Sequence, residues 1–166
     1  MPLIRNGELV DDGWIRIGDD APLPEEGDVL LPLERAMAEM ERIRGRKGRV
    51  GAILENTANP RRLANLLPHL ELIVLEFPAF TDGRAYSQAR HLRTRLGYTG
   101  ELRASGDVLP DQAAFMERVG FDSFEVAEDV SLATWNRARH AISGAYQRGY
   151  GGSAVTPERY GAASAA

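Results

Sequence analysis

The 166-residue chain contains no cysteine. This absence excludes disulfide bonds, zinc fingers, iron–sulfur ligation and thiolate catalysis within the chain itself. A cysteine-free sequence fits a reducing compartment, and we expect the protein to be cytoplasmic.

Long apolar runs are missing as well. No run approaches the ~20 residues that a helix needs to span a bilayer. Residues 1–5 show no basic region followed by a long apolar segment, which a secretory signal would have. We therefore expect no association with membranes and no export.

The chain also lacks an excess of positive charge and any known catalytic motif. Its net charge is −4 and its isoelectric point is about 5.4, which argues against non-specific binding of nucleic acid. There is no phosphate loop, no dinucleotide fingerprint and no serine elbow. The sequence does not identify a cofactor.

What the sequence does contain is a regular alternation of strand and helix patterns. A hydrophobic content of 43% suits one domain with a true core, which we place at residues 1–148. Short apolar runs predict strands, and each is followed by residues with helical spacing. The predicted strands are residues 29–31, 50–55, 72–77, 102–105 and 123–126, and the predicted helices are residues 33–43, 59–68, 82–96, 110–119 and 131–145.

These five β-then-α units predict an α/β fold with a parallel sheet and right-handed connections. Two architectures fit: an open doubly wound sheet and a partial β/α barrel. We favour the barrel-related form because no glycine-rich nucleotide fingerprint opens the first unit. A partial barrel has free sheet edges, and either the N-terminal segment or a second subunit, in a homodimer, could cover them.

The two ends of the chain have their own signatures. Residues 1–27 predict a small β lead-in, in which Asn6-Gly7 forms a tight turn between two short strands. Residues 149–166 are rich in glycine, serine and alanine, which predicts a flexible tail.

Candidate functional residues follow from the predicted sheet. Parallel sheets place ligand-contacting groups at the carboxyl ends of their strands, so groups far apart in sequence would converge on one rim. The richest segment is the turn at residues 77–84, between a strand and a long helix. The candidates for binding a ligand or a partner are Glu55, Glu76, Phe80, Thr81, Asp82, Arg84, Arg103, Ser105, Gly106, Asp107 and Glu125.

The acidic candidates allow two interpretations. A ring of carboxylates could hold Mg²⁺, which favours hard oxygen ligands. Caps and solvated loop charges are the favoured interpretation, so no metal site is predicted. The carboxylates concerned are Glu55, Glu76, Asp107 and Glu125.

The turn and the basic candidates also have structural alternatives. Thr81 or Asp82 can cap the helix that follows. Arg84 could hold an anion at the helix N-terminus or form a salt bridge with Glu76 or Asp82. Arg103 could also bind an anion, but pairing with an acid is favoured.

A basic helix face follows the turn. It consists of Arg90, His91, Arg93 and Arg95. Such a face is most often solvated surface, and it could also dock an acidic partner.

Three motifs occur in order in the sequence: FPAFTDG at residues 77–83, YTGELRASGDVLPDQ at 98–112 and GFDSFE at 120–125. They resemble the bacterial family catalogued as domain of unknown function 934, and the resemblance covers roughly residues 30–145. Members are typically encoded beside the haemoprotein of assimilatory sulfite or nitrite reduction, so the resemblance implies a role in sulfur assimilation. The motif positions are Phe77, Pro78, Phe80, Asp82, Gly83, Arg84, Arg103, Gly106, Asp107, Asp111, Gln112 and Glu125.

Some members of that family are labelled oxidoreductases, and no redox motif of this chain supports the label. We therefore expect an accessory factor that binds the sulfite or nitrite reductase haemoprotein, helps to assemble it or holds an anionic small molecule. The alternative is a small β/α enzyme that binds an anionic substrate at the rim. The sequence does not decide whether the protein is an enzyme.

Overall fold

The computed structural model describes residues 1–141 and residue 150 and contains eight strands and five α-helices. The strands are β1 (Leu3–Arg5), β2 (Glu8–Val10), β3 (Ile15–Arg16), β4 (Val29–Pro32), β5 (Val50–Leu54), β6 (Leu72–Phe77), β7 (Glu101–Gly106) and β8 (Ser123–Glu125). The helices are α1 (Leu33–Ala38), α2 (Met40–Arg44), α3 (Arg84–Thr94), α4 (Ala113–Val119) and α5 (Leu132–Arg139).

All eight strands belong to one sheet, in the order β2-β1-β8-β7-β6-β5-β4-β3. Strands β3 to β8 are parallel, and each lies beside its predecessor in the chain. The hairpin β1–β2 is antiparallel and pairs with β8. The predicted α/β fold with a parallel sheet and a small N-terminal β element is confirmed, and the strand order is that of a partial barrel and not of a doubly wound sheet.

The connection between β2 and β3 explains why the sheet must curl. These two strands are the opposite edges of the sheet, yet only residues 11–14 join them. From Val10 to Ile15 the chain can span about 18 Å at most. Eight strands laid flat would measure roughly 34 Å from edge to edge. The sheet therefore curls until its two edges approach each other, and the N-terminal segment supplies both edge strands.

The two faces of the curled sheet have different environments. On the outer face Ile73, Leu75 and Phe77 of β6 join the main core beneath the helices. On the inner face Leu72 and Val74 pack with Leu30 of β4, and the side chains of Trp14 and Ile53 pack against them. This alternation along each strand decides which side chains meet inside the curl.

Two predicted helices differ from the structure. Residues 59–68 form two short 3-10 turns, Pro60–Leu63 and Leu67–His69, because each proline lies in the first turn of its own segment, so Pro68 begins a new turn where the prediction ended a helix. The helix predicted at residues 33–43 is divided between α1 and α2 at Glu39.

The last helix is confirmed at its start, where the Ser131 side chain accepts a hydrogen bond from the backbone N–H of Thr134. The predicted end of that helix and the predicted tail lie outside the described residues, except for residues 141 and 150. None of the helices in the described part is long and apolar enough to cross a membrane.

Candidate functional site

The structure places the sequence-predicted residues in two groups. The first group surrounds the turn after β6 and consists of Glu55, Phe80, Thr81, Asp82, Arg84, Gly106 and Asp107. The second group lies on the inner face of the curled sheet and consists of Arg103, Ser105 and Glu125. Glu76 is half-buried and pairs in register with Ser105, so it faces the inner side of the sheet as well.

Asp107 fixes the turn after β6. Its carboxylate accepts a hydrogen bond from the backbone N–H of Phe80 at 2.9 Å, and its own N–H donates to the carbonyl oxygen of Phe77 at 2.8 Å. On the other side of the peptide, the Gln112 side chain donates to the carbonyl oxygen of Phe80 at 3.0 Å. Both backbone groups of Phe80 are therefore held, while its ring is 52% exposed.

Asp82 and Arg84 form the second fixed point of the turn. The Asp82 carboxylate pairs with the Arg84 guanidinium, accepts from the backbone N–H of Arg84 at 3.2 Å and accepts from the Asn56 side chain at 2.7 Å. The side-chain hydrogen bond from Arg84 lowers the pKa of Asp82 to about 2. The predicted salt bridge of Arg84 is confirmed with Asp82 as its partner. The N-cap of α3 is Gly83, which makes no side-chain cap, and Asp82 lies one residue before it and accepts from the first N–H of the helix. Thr81 is exposed.

Gly106 ends β7 in a conformation with φ +98°, and a Cβ there would overlap the carbonyl oxygen of Phe77. We expect Gly106→Ala to lower the free energy of unfolding by about 2–3 kcal/mol in urea denaturation, because it combines a strained φ with a backbone clash. Gly18→Ala is the matched control, since nothing lies within 4 Å of its Cβ position, and it should stay within about 0.5 kcal/mol of wild type. Equal stability of the two variants would contradict this prediction.

The carboxylates that could have ringed a metal ion are dispersed. Asp107 is engaged with the Phe80 turn, Glu125 lies on the inner face and Glu55 is exposed. Within the described residues no group of three or more histidine, aspartate or glutamate side chains could hold a metal ion.

Arg103 is the centre of a buried ionic cluster on the inner face. Its side chain is 0% exposed. Nη1 lies 2.9 Å from Asp12 Oδ2 and 3.2 Å from Glu125 Oε1, and Nη2 lies 3.3 Å from Glu101 Oε1. The predicted pairing of Arg103 with an acid is confirmed, and the guanidinium meets three carboxylates. We call this group the inner cluster: Arg5, Asp12, Arg16, Glu101, Arg103, Ser105, Ser123 and Glu125.

Two members of the inner cluster come from the N-terminal segment that crosses between the sheet edges. Asp12 lies in the connection between β2 and β3, and Arg16 lies in β3 itself. Arg16 Nη2 is 2.6 Å from both carboxylate oxygens of Glu125 in β8, so this ion pair joins strands from opposite halves of the sheet. The curl deduced from the short connection is therefore also visible in side-chain contacts.

Serine hydroxyls and arginines complete the hydrogen bonding of the two buried glutamates. Ser105 Oγ donates to Glu125 Oε2 at 2.7 Å, and Ser123 Oγ donates to Glu101. Burial raises the pKa of Glu101, but the hydrogen bonds from Arg5 and Ser123 and the charge of Arg103 outweigh it, so the pKa lies below its ordinary value. These contacts thus favour the ionised form of Glu101.

Sequence reasoning missed five members of this cluster: Arg5, Asp12, Arg16, Glu101 and Ser123. A signal for one of them was present, because Glu101, Arg103 and Ser105 alternate along one strand and must share a face. No local pattern indicated that residues 5, 12 and 16 would reach that face.

The basic helix face needs one correction. Arg93 was placed on the exposed surface, but its side chain is 3% exposed and lies under the loops that flank β7. It donates to the carbonyl oxygens of Tyr98, Gly100 and Gly120 and pairs with Asp122. Arg90 and Arg95 are exposed, and His91 is half-buried.

The fold and the site together define a class of protein: a partial β/α barrel whose inner face carries a buried ionic cluster and whose rim carries a turn with fixed geometry. The chain matches the family described as bacterial protein of unknown function (DUF934) over residues 51–156, and it belongs to this family. The match begins in β5, so the N-terminal residues of the inner cluster precede it. No curated protein matches the chain.

Proposed function

We propose that this protein is a cytoplasmic accessory factor of assimilatory sulfite or nitrite reduction, which binds the reductase haemoprotein through the rim around Phe80. The metabolic context is an expectation from the family resemblance, and it is part of what we propose. The observation that carries the binding mode is the turn after β6, in which an exposed aromatic ring stands on a backbone held from both sides.

The turn meets the physical requirements of an anchor for protein binding. Exposed aromatic side chains that fit a partner's pocket often dominate the free energy of association. Fixing such a side chain before binding reduces the entropy lost on association. The bonds of Asp107 and Gln112 to the two backbone groups of Phe80 provide this preorganisation.

A second exposed ring extends the same surface. Gln112 links the Phe80 turn to α4, and Phe115 of α4 is 51% exposed. The ring centroids of Phe115 and of Tyr86 in α3 lie 4.9 Å apart with the rings tilted, and Tyr86 in turn contacts the buried ring of Phe77. The charged side chains of this rim, Asp82, Arg84 and Asp107, are engaged with one another or with the backbone. Phe80 and Phe115 are the exposed aromatic side chains of this surface, beside the exposed Glu55.

The test is a binding measurement with the purified sulfite reductase haemoprotein from the same cells. We expect Phe80→Ala to weaken binding about 30-fold, the size of an aromatic hot spot of about 2 kcal/mol. Leu9→Ala is the control, because Leu9 is 57% exposed on β2 and belongs to neither the rim nor the core.

Both variants should unfold at the wild-type temperature, so that a change in binding is not a change in folding. If the wild-type protein does not bind the haemoprotein, the proposed partner is wrong. If it binds and Phe80→Ala binds equally well, the rim is not the binding surface.

The alternative is a small β/α enzyme that binds an anionic substrate. The observation in its favour is the inner cluster, since buried charged groups are concentrated at functional sites. Arg103 would have to release Asp12, and Arg84 would have to release Asp82, before either could clamp an anion. Calorimetric titration with sulfite and sulfate tests this alternative, and saturable binding that is lost in Arg84→Gln would favour it.

A further inference from the structure

Positive charge is segregated in this protein. Residues 56–70 and residues 83–100 contain no aspartate or glutamate, although the chain has 24 acidic residues. The same two stretches contain six of its arginines: Arg61, Arg62, Arg84, Arg90, Arg93 and Arg95. An acidic protein with two long stretches free of acids has an uneven surface potential.

The fold brings the two acid-free stretches side by side in the outer layer. Gln88 of α3 donates hydrogen bonds to the carbonyl oxygens of Glu55 and Ala58 at 2.7 and 2.8 Å, which tie the helix to the first stretch. Leu67 and Pro68 of the first stretch and Leu96 of the second also line one surface depression of about 460 Å³. The two stretches are therefore neighbours in the outer layer, and the acid that lines the same depression is Glu71.

Half of the arginines in this region have a carboxylate partner. Arg62 pairs with Glu34, Arg84 with Asp82 and Arg93 with Asp122. The other three, Arg61, Arg90 and Arg95, are exposed, and none of them has an ion-pair partner within the part of the chain that the structure describes. We call these three residues the basic face.

The arginines of helices α1 and α2 differ from those of the basic face because each has an acidic neighbour. There Arg35 and Arg42 both pair with Glu39, and Arg44 pairs with Glu41. Neighbouring acids neutralise the arginines of those helices, whereas the basic face keeps its charge. Complementary charge of this kind guides association and determines its salt dependence.

We propose that the basic face docks an acidic protein surface, which is a surface of the reductase haemoprotein; this inference rests on the proposed function. The aromatic rim supplies the anchor at the start of α3, and the basic face extends the contact along that helix and the adjacent turn. The two surfaces affect different rates: the rim determines the dissociation rate of the complex, and the basic face determines its association rate.

The experiment compares two double charge reversals. Arg90→Glu/Arg95→Glu removes two members of the basic face. The control is Lys47→Glu/Arg137→Glu. These two cations are also exposed and have no ion-pair partner among the described residues, but Lys47 lies on the loop after α2 and Arg137 lies on α5. Each pair shifts the formal charge by four units, from −4 to −8, so the two variants share one net charge.

We expect Arg90→Glu/Arg95→Glu to lower the association rate with the purified haemoprotein at least about tenfold at low salt and to flatten its dependence on salt concentration. The control pair should slow association by less than about threefold. Phe80→Ala, in contrast, should act mainly on the dissociation rate.

Each other result overturns the inference in a distinguishable way. If the haemoprotein binds the wild type and both double variants alike, the role proposed for the basic face is wrong and the proposed function stands. If it binds no form of the protein, the proposed function fails and the inference fails with it. Wild-type binding to a 20-base-pair DNA duplex that is lost in Arg90→Glu/Arg95→Glu would assign the face to nucleic acid and contradict the proposal.

Discussion

Replacing Arg103 with methionine is expected to lower the free energy of unfolding by about 3–5 kcal/mol. Methionine can fill much of the arginine volume, so the effect is electrostatic more than steric. The change leaves Asp12, Glu101 and Glu125 without the cation that lies between them. Removing one partner of a buried ionic group costs far more than the intact group contributes, because the remaining charge stays buried without compensation.

Urea denaturation measures this effect, with Arg42→Met as the matched control. Arg42 also pairs with a glutamate, but at the surface, where such a pair contributes less than about 1 kcal/mol. Adding Glu125→Gln to Arg103→Met should recover part of the lost stability, because it removes the excess negative charge that Arg103→Met leaves in the inner cluster. Similar losses in Arg103→Met and Arg42→Met would show that the inner cluster is not a buried ionic group.

The second large effect is expected for Arg93→Met, at about 3–5 kcal/mol. The guanidinium of Arg93 satisfies the carbonyl oxygens of Tyr98, Gly100 and Gly120, and each buried acceptor that loses its donor costs about 1–3 kcal/mol. The substitution also removes the partner of Asp122, whose carboxylate accepts from the backbone N–H of Leu102.

Arg90→Met is the control. Arg90 lies three residues earlier on the same helix, its side chain is exposed, and the variant should stay within about 0.5 kcal/mol of wild type. Hydrogen exchange gives a local readout, since the amide of Leu102 should lose protection in Arg93→Met before the rest of β7. An Arg93→Met variant as stable as Arg90→Met would mean that these carbonyl groups find other donors.

The strands could be predicted because a short apolar run of neighbouring residues is enough to indicate each of them. The run at residues 72–77 is apolar except for Glu76 and matches β6 at both ends. The alternation of strands with helical patterns likewise implied a parallel sheet, which the strand pairing confirms. The helix predicted at residues 59–68 was wrong because Pro68, placed at the end of that helix, lies instead in the first turn of a separate 3-10 segment, Leu67–His69.

Arg93 shows a signal that was present and misinterpreted. It follows Ala85 and Ala89 at intervals of four residues, and both alanines are fully buried. The spacing therefore placed Arg93 on the buried stripe of α3, but its charge suggested exposure. A buried arginine with five hydrogen-bond donors is stable when carbonyl groups surround it, and only the folded loops supply those groups.

For the candidate site, local turn chemistry explains what could be anticipated. Asp82 lies just before a helix, where its carboxylate accepts from the first N–H of the helix and pairs with Arg84. Gly106 ends a strand and adopts a positive φ that other residues rarely accept. The sequence by itself thus determined the sequence of strands and helices, the turn around Phe80 and the pairing of Arg103 with an acid.

Only the tertiary structure decided which acids those are and how the sheet closes. Arg103 contacts Asp12 across 91 positions of the chain, and Arg16 contacts Glu125 across 109. Such contacts depend on how far the sheet curls, and the curl results from twist, packing on both faces and the four-residue connection between the edge strands. Periodicity reports which face of a strand a residue occupies, but it carries no information on which distant residue will lie opposite.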